Sequence, residues 1–279
     1  MSLTPNNFAL IIGAMKAGTT SLFYYLSEHP QIAACREKEP YFFAKEDTFN
    51  RGMNWYQSLW DWKPEHQIAI EASTTYTMQP KYLNVPERIA KIKGAEFRFI
   101  YIIRNPFSRI ESHIRHLLAR GLLDKVEIIE EHLAFSEYAK QLDVYANIFG
   151  RDRIYLLLLE DLQKDPVTEL RKICNFLQVT SDYEFKTIDI VRNSKNSTNL
   201  HPMLRKIYNI PVVKSVATKV PPTIRQKLYK PLSRKNPYEF KLSSQDKMLI
   251  IQRLQPDLIR LKTEYNIDVK AKWGLPSAR

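Results

Sequence analysis

The stretch Phe8–Ser21, FALIIGAMKAGTTS, constrains this chain more than any other. Phe8 to Ile12 is an unbroken apolar run of strand length, and Gly13 interrupts it. Gly18 then frees the backbone just ahead of an apolar-periodic segment that begins near Thr19. A buried strand, a small-residue turn and a helix N-terminus together make an anion cradle. Successive N–H groups point outward there, and the helix dipole adds about half a positive charge. The spacing Gly13-x4-Gly18-Thr19-Thr20 nearly matches the phosphate loop GxxxxGK[ST]. It departs at one place: Thr19 follows the second glycine where that loop has lysine, and a lysine stands earlier, at Lys16. That displacement bears on which phosphorylated compound the loop holds.

The rest of the chain repeats the alternation. Gln67–Ala72, Phe97–Ile103 and Arg153–Leu159 read as further strands. Helices are expected over Thr20–Glu28, Met53–Trp60, Pro86–Lys93, Pro106–Arg120, Phe135–Phe149 and Asp165–Leu177. Strands that are nearly all apolar, separated by helices, indicate a parallel sheet covered on both faces. The expected class is α/β, a P-loop-containing three-layer fold with a helical C-terminal extension. One domain is expected over 1–279: an α/β core over 1–200 carrying the binding site, a basic proline-containing segment over 201–242, and a C-terminal helix and tail over 243–279. In such sheets ligands bind beyond the carboxyl ends of the strands. Gly13, Glu71, Arg104 and Glu160 all fall at such ends.

Charge narrows the partners. Between His201 and Lys241 lie ten Lys or Arg and one acid, Glu239, so this window carries +9 of the formal +12. The remainder is close to balanced, which argues against a general nucleic-acid binder. The prolines of the window predict loops and short helices there, bordering an entrance for an anionic partner. No apolar run approaches the ~20 residues of a membrane span. Only Cys35 and Cys174 are present, which indicates no disulfide framework and a reducing compartment. The N-terminal MSLTPNNF lacks the features of a secretion signal, so the expected location is cytoplasmic.

Three positions carry the chemistry. Lys16, inside the loop, would stabilise negative charge developing on a leaving phosphate oxygen; the bland alternative is a solvated lysine on a turn. Arg104 ends IYIIRNP where a Walker B strand would end in an acid that helps hold Mg2+. A cation there suits direct anion binding, joined by Ser112 two turns into the next helix; the alternative is an ion pair with Glu71 or Glu160. Glu39 precedes Pro-Tyr-Phe-Phe, where aromatic neighbours would desolvate it and suit it to general-base work; the alternative is a surface charge in Arg-Glu-Lys-Glu. His113 and His116 are rival bases.

These residues carry a resemblance to the sulfotransferase superfamily that uses 3′-phosphoadenosine-5′-phosphosulfate (PAPS), on the side of its bacterial and glycan-modifying branch. GAMKAGTTSL resembles the family's 5′-phosphosulfate loop, its lysine matching Lys16. IYIIRNPFSRIESH resembles the 3′-phosphate motif, with Arg104 and Ser112 in the matching places, and KEPYFF resembles the segment whose glutamate, here Glu39, is the general base. IEASTTY resembles the E-K-S-P-x-Y region, with Ala72 where lysine is common; the closing Pro256-Asp257-Leu258 and Trp273 also fit. Arg192, Lys195 and Asn196 fall where a third nucleotide loop is expected, in a degenerate form. The resemblance implies sulfuryl transfer from PAPS, leaving adenosine 3′,5′-bisphosphate (PAP), to a hydroxyl or amine of a small natural product or a carbohydrate. Ala17, Gly18, Thr19, Thr20 and Ser21 would hold the 5′-phosphate through backbone N–H groups, and no metal would be required. Two other readings compete. A P-loop kinase would need Mg2+ on Thr20 with Glu71 as the nearest acid, and a non-catalytic binder of nucleotides or polyanions would use the basic window.

Overall fold

The computed structural model describes residues 4–123, 128, 130–186, 188, 199–200, 233–234 and 239–275. Its centre is a five-stranded parallel sheet: β1 (Asn7–Gly13), β2 (Ile32–Ala34), β3 (Ile68–Ala72), β4 (Glu96–Ile103) and β5 (Ile154–Leu158), in the order β2-β3-β1-β4-β5. The register runs Phe8↔Ala69 and Ile11↔Ala72 on one side of β1, and Phe8↔Phe97 and Leu10↔Phe99 on the other. From Phe8 to Ile12 every residue is buried, as expected of a central strand covered on both faces. The chain leaves β1 towards β3 and β2, then returns across it to β4 and β5. The strand order therefore reverses beside β1, and the crevice between the carboxyl ends of β1 and β4 is the topological switch point.

Helices cover both faces. The site depends on α1 (Thr19–Leu26), α2 (Glu46–Phe49), α3 (Gly52–Gln57), α4 (Val85–Ala90), α5 (Pro106–Ala119), α6 (Glu130–Ala134), α7 (Tyr138–Phe149), α8 (Leu159–Lys164) and α9 (Pro166–Leu177), followed by α10 (Ser244–Thr263) and α11 (Val269–Trp273). Local chemistry sets their starts. Asn105 caps α5 by accepting from the N–H groups of Phe107 and Ser108 ahead of Pro106, and Asp165 caps α9 by accepting from Thr168. Ser243 and Asp246 form a reciprocal capping box on α10.

Three details differ from the sequence reading. β2 is a three-residue edge strand, too short to leave a periodic signal. The helix expected over 135–149 is α7 alone, starting at Tyr138, and a short helix that was not expected, α6, precedes it. Leu159, expected to close the last strand, instead begins α8, so Glu160 sits in a first helical turn.

The C-terminal helices lock onto this core. Asp257 reaches across from α10, and its two carboxylate oxygens accept from the N–H groups of Ala139 and Lys140 at 3.0 and 2.9 Å, capping α7 from a distant part of the chain. Trp273 donates its indole N–H to Glu160 at 3.0 Å, directly behind the end of β4. Most of the basic window, with Arg192, Lys195 and Asn196, lies outside the described residues.

Candidate active site

A cleft of about 950 Å³ opens over the carboxyl ends of the strands. The loop after β1 forms its floor. Gly18, at φ +96°, caps α1 in a conformation that suits glycine, and a Cβ there would meet Leu159 at 2.7 Å. At Gly13 a Cβ would lie 2.0 Å from the Thr77 hydroxyl, which donates to Ile12 O at 2.7 Å. The first helical hydrogen bond of α1 runs from Leu22 N–H to Gly18 O, so the N–H groups of Thr19, Thr20 and Ser21 have no partner within the helix. All three residues line the cleft. Ala17 differs from the expectation: it is fully buried, and its N–H already donates to Ala14 O at 3.0 Å. The cradle therefore begins at Gly18.

Lys16 and Arg104 are tied together. Arg104 Nη1 donates to Lys16 O at 3.1 Å, bridging the end of β4 to the loop after β1. Lys16 holds a left-handed backbone, φ +70°, which is costly for a lysine and fixes its side chain beside the cradle. Burial first, then the nearby Arg120 and Arg104 charges, push the Lys16 ammonium below its ordinary value, while Glu39 opposes them. Arg104 is likewise lowered, mainly by burial. The ion pairs considered as alternatives do not form. Glu160 accepts from Asn105 N–H and from Trp273, and Glu71 is taken up elsewhere. Two half-buried cations lining one cleft, neither of them in a salt bridge among the described residues, suit an anion.

Helix α5 supplies the next wall. Ser112, His116 and Arg120 line the cleft at spacings of four residues, one stripe down the helix and its C-cap. His113 lies off this stripe. It is buried against His132 and Phe135, and burial together with Arg109 pushes its ring down to about 2. Of the two rival histidines, only His116 lines the cleft.

Glu39 faces the cleft from the segment after β2. Its Oε2 accepts from Tyr41 OH at 2.8 Å; its Oε1 accepts from Lys38 Nζ at 3.2 Å and from Thr74 Oγ1 at the long limit of 3.5 Å. The aromatics expected to desolvate it do something different. Phe42 and Phe43 turn inward and pack on Tyr56, with ring centroids 4.3 and 5.3 Å away, leaving Glu39 among polar partners. The desolvated carboxylate is Glu71: fully buried and pushed up to about 7 by that burial, it accepts from Tyr56, Tyr76 and Ser73. It does not line the cleft, so the acid required by the kinase alternative is not beside Thr20.

Sequence reasoning missed several lining residues: Lys38, Tyr41, Lys45, Thr74, Tyr82 and Arg120. For Arg120 a signal existed, the i+4 spacing from Ser112 through His116. Among the described residues, five cations (Lys16, Lys38, Lys45, Arg104 and Arg120) and one acid (Glu39) line the cleft.

Known proteins resemble this chain in sequence and in fold. The chain is 28% identical over 214 residues to human heparan sulfate glucosamine 3-O-sulfotransferase 6, spanning 71% of this chain and 58% of that protein. It is 27% identical over 188 residues to human heparan sulfate glucosamine 3-O-sulfotransferase 5, spanning 61% and 53%. It thus spans little more than half the length of these relatives. Among solved structures, a sulfotransferase from Alicyclobacillus acidocaldarius superposes with a TM-score of 0.66 at 22% identity, covering 96% of this chain and 98% of that one, which shows a shared fold. The sulfotransferase domain profile matches residues 7–215, running from the first strand through the cradle, the Glu39 segment and the Arg104 strand end. This chain belongs to the sulfotransferase domain family.

Proposed function

We propose that the protein transfers a sulfuryl group from PAPS to a hydroxyl or amine of an acceptor, and that residues 1–279 act as one domain in doing so. One observation carries the reading: Lys16 and Arg104, joined through a hydrogen bond, flank a helix N-terminus while Glu39 lines the same cleft. In the reaction the bond from sulfur to the bridging phosphate oxygen breaks as the bond from the acceptor oxygen to sulfur forms. Glu39 takes the acceptor's proton, its oxygens oriented by Tyr41 and Lys38. Lys16 stabilises the charge that develops on the leaving oxygen. The N–H groups of Gly18 to Ser21 hold the 5′-phosphate, and Arg104 with Ser112 holds the 3′-phosphate.

The excess of cations around the cleft supports an acceptor that is itself anionic, a carbohydrate or a small molecule. The similarity to proteins named for heparan sulfate favours the carbohydrate. No helix among the described residues is long and apolar enough to cross a membrane. Cys35 and Cys174 are buried free thiols, which supports a reducing compartment, the cytoplasm.

Calorimetry with PAP in the absence of added metal, and separately with ATP–Mg2+, tests the donor site. PAP is expected to bind tightly and ATP–Mg2+ weakly; the reverse order would overturn the reading. A screen of anionic glycans and small hydroxylated acceptors with PAPS, read by mass gain, then tests transfer.

A further inference from the structure

Glu71 is a carboxylate with no contact to the cleft and no cation paired with it among the described residues. It stands next to last in β3, opposite Leu10 of β1, and is fully buried. Three neutral hydroxyls converge on it. Tyr56 OH of α3 and Tyr76 OH of the turn after β3 donate to Oε1 at 2.8 and 2.7 Å, and Ser73 Oγ donates to Oε2 at 2.8 Å.

Both tyrosines, and the backbone beside Glu71, lead to the segment that carries Glu39. Tyr76 OH accepts from Phe43 N–H at 3.4 Å, and its ring meets Phe43 edge to face. The Tyr56 ring stacks on Phe42 and meets Phe43 edge to face. Ala72, the residue after Glu71, accepts from Glu39 N–H at 3.2 Å. Glu39 and Tyr41 both hold left-handed backbone, φ +59° and +57°, which an isolated segment would not keep. The strain persists because Phe42 and Phe43 are pinned from below, and the pins converge on one carboxylate.

We propose that Glu71 is a positioning residue for the transfer reaction, holding the Glu39–Lys45 segment in its cleft-lining conformation through Tyr56 and Tyr76, and that the ionised carboxylate is the form that does so. The proposal rests on the sulfuryl-transfer reading for its kinetic half only. An ionised carboxylate is acceptor-only and satisfies three donors at once. A protonated one must donate, so one of the three hydroxyls has to reverse. A proton on Oε1 displaces a tyrosine donor, whose own proton then loses its acceptor inside the core, which is costly, whereas a proton on Oε2 turns only Ser73.

The groups facing Glu71 are Tyr56 from α3, Tyr76 from the turn, Tyr145 from α7, the Cys35 thiol after β2 and the Glu39 carboxylate. Burial drives Glu71 up to about 7 and Glu39 adds to the rise, against the pull of the three hydroxyls. Its titration thus falls in the neutral range. The linkage has a definite sign. A carboxyl raised in the fold stabilises it fully below the unfolded value near 4.5, and that stability is lost as pH rises through about 7. The competent, ionised form is the less stable one, a cost that an amide would avoid.

E71Q imitates the protonated state, since its amide nitrogen must donate where the carboxylate accepts. The test compares wild type, E71Q and Y76F by kcat from pH 5.5 to 9, by PAP affinity, and by hydrogen exchange of the amides of residues 39–45. In E71Q, kcat at pH 8 is expected to fall about tenfold or more, with little difference from wild type at pH 5.5. PAP affinity should stay within about twofold, and exchange at 39–45 should rise. Y76F, which keeps the charge and removes one donor, should loosen the same amides and lower kcat less; if E71Q does not fold, Y76F decides. Unchanged exchange, or a kcat–pH profile superimposable on wild type, would overturn the proposal. If the wild type transfers nothing from PAPS, the functional reading fails by itself, and the exchange data still decide whether Glu71 holds the segment.

Discussion

Thr19–Ser21 and Arg104 are presented by the ends of regular elements, whereas Glu39 and Tyr41 are presented by irregular backbone pinned through side chains. On the first wall a glycine cap, a helix start and a strand end fix the geometry, and one hydrogen bond from Arg104 to Lys16 O joins them. On the second wall two left-handed residues are held by Phe42 and Phe43 packing on Tyr56 and Tyr76 above a buried carboxylate. The first wall is rigid wherever the sheet is intact. The second depends on a local network of polar and aromatic contacts. Damage to the two walls should therefore separate into loss of donor binding on one side and loss of turnover on the other.

The largest expected effect tests that separation on the irregular wall. E39Q keeps the shape of the side chain but accepts no proton at neutral pH, so kcat should fall by about 10²- to 10⁴-fold while PAP affinity holds. Steady-state kinetics with parallel calorimetry reads both. If E39Q remains active and H116A does not, the base lies on α5 and the division of labour drawn here is wrong.

Lys16 belongs to both walls, built into the rigid loop but in electrostatic contact with Glu39. K16A should lower kcat by about 10²- to 10³-fold, since the charge matters most as the bridging oxygen becomes anionic. PAP affinity should fall much less than kcat. Equal losses in both would reduce Lys16 to a binding residue.

The rigid wall was the legible one. Gly13 and Arg104 sit where strands end and Gly18 where a helix starts, and such ends follow from apolar runs bounded by glycine or Asn-Pro. The sheet, its parallel sense and the position of its crevice follow from the same runs. The irregular wall left fewer marks. Phe42 and Phe43 looked like neighbours of Glu39 because they adjoin it in sequence, yet the positive φ at Glu39 and Tyr41 turns them into the core. Glu71 looked like a strand-end acid facing the ligand, but in a strand the side of the sheet that a residue faces is set by register. Its hydroxyl partners come from α3 and from the turn after β3, which no local pattern connects. The stripe Ser112, His116, Arg120 was readable by helical spacing, whereas Lys45 and Tyr82 reach the cleft only through tertiary packing.

On the rigid wall, R104A should weaken PAP by about ten- to a hundredfold, the worth of a charge-assisted contact of roughly 1.5–3 kcal/mol. Removing the 3′-phosphate from the ligand should make wild type and R104A nearly equal. If R104A loses as much affinity for adenosine 5′-phosphate as for PAP, Arg104 acts through Lys16 O and the loop rather than on the phosphate.

The smallest effect concerns the outer cations. Lys45 and Arg120 line the cleft and are both exposed, and Lys45 lies over the Tyr41 ring at 4.4 Å from its centre. Neither belongs to the cradle or pairs with Glu39, so their charge is free to act on an anionic acceptor. Exposed charge pairs are worth about 0.2–1 kcal/mol, so reversing one should raise the acceptor KM only about two- to fivefold. K45E and R120E should do so for carboxylated or sulfated acceptors and not for neutral ones; K45E should leave kcat and PAP affinity nearly unchanged, whereas R120E, whose charge acts on Lys16, should also change kcat. The effect should shrink between 20 mM and 150 mM salt, because the screening length falls to about 8 Å at the higher value. A KM that rises equally for neutral acceptors would mean that Lys45 shapes the segment through Tyr41, placing it with the pins of the irregular wall. A KM unchanged at every salt concentration would remove both cations from acceptor capture and leave the charge of the cleft to the donor alone.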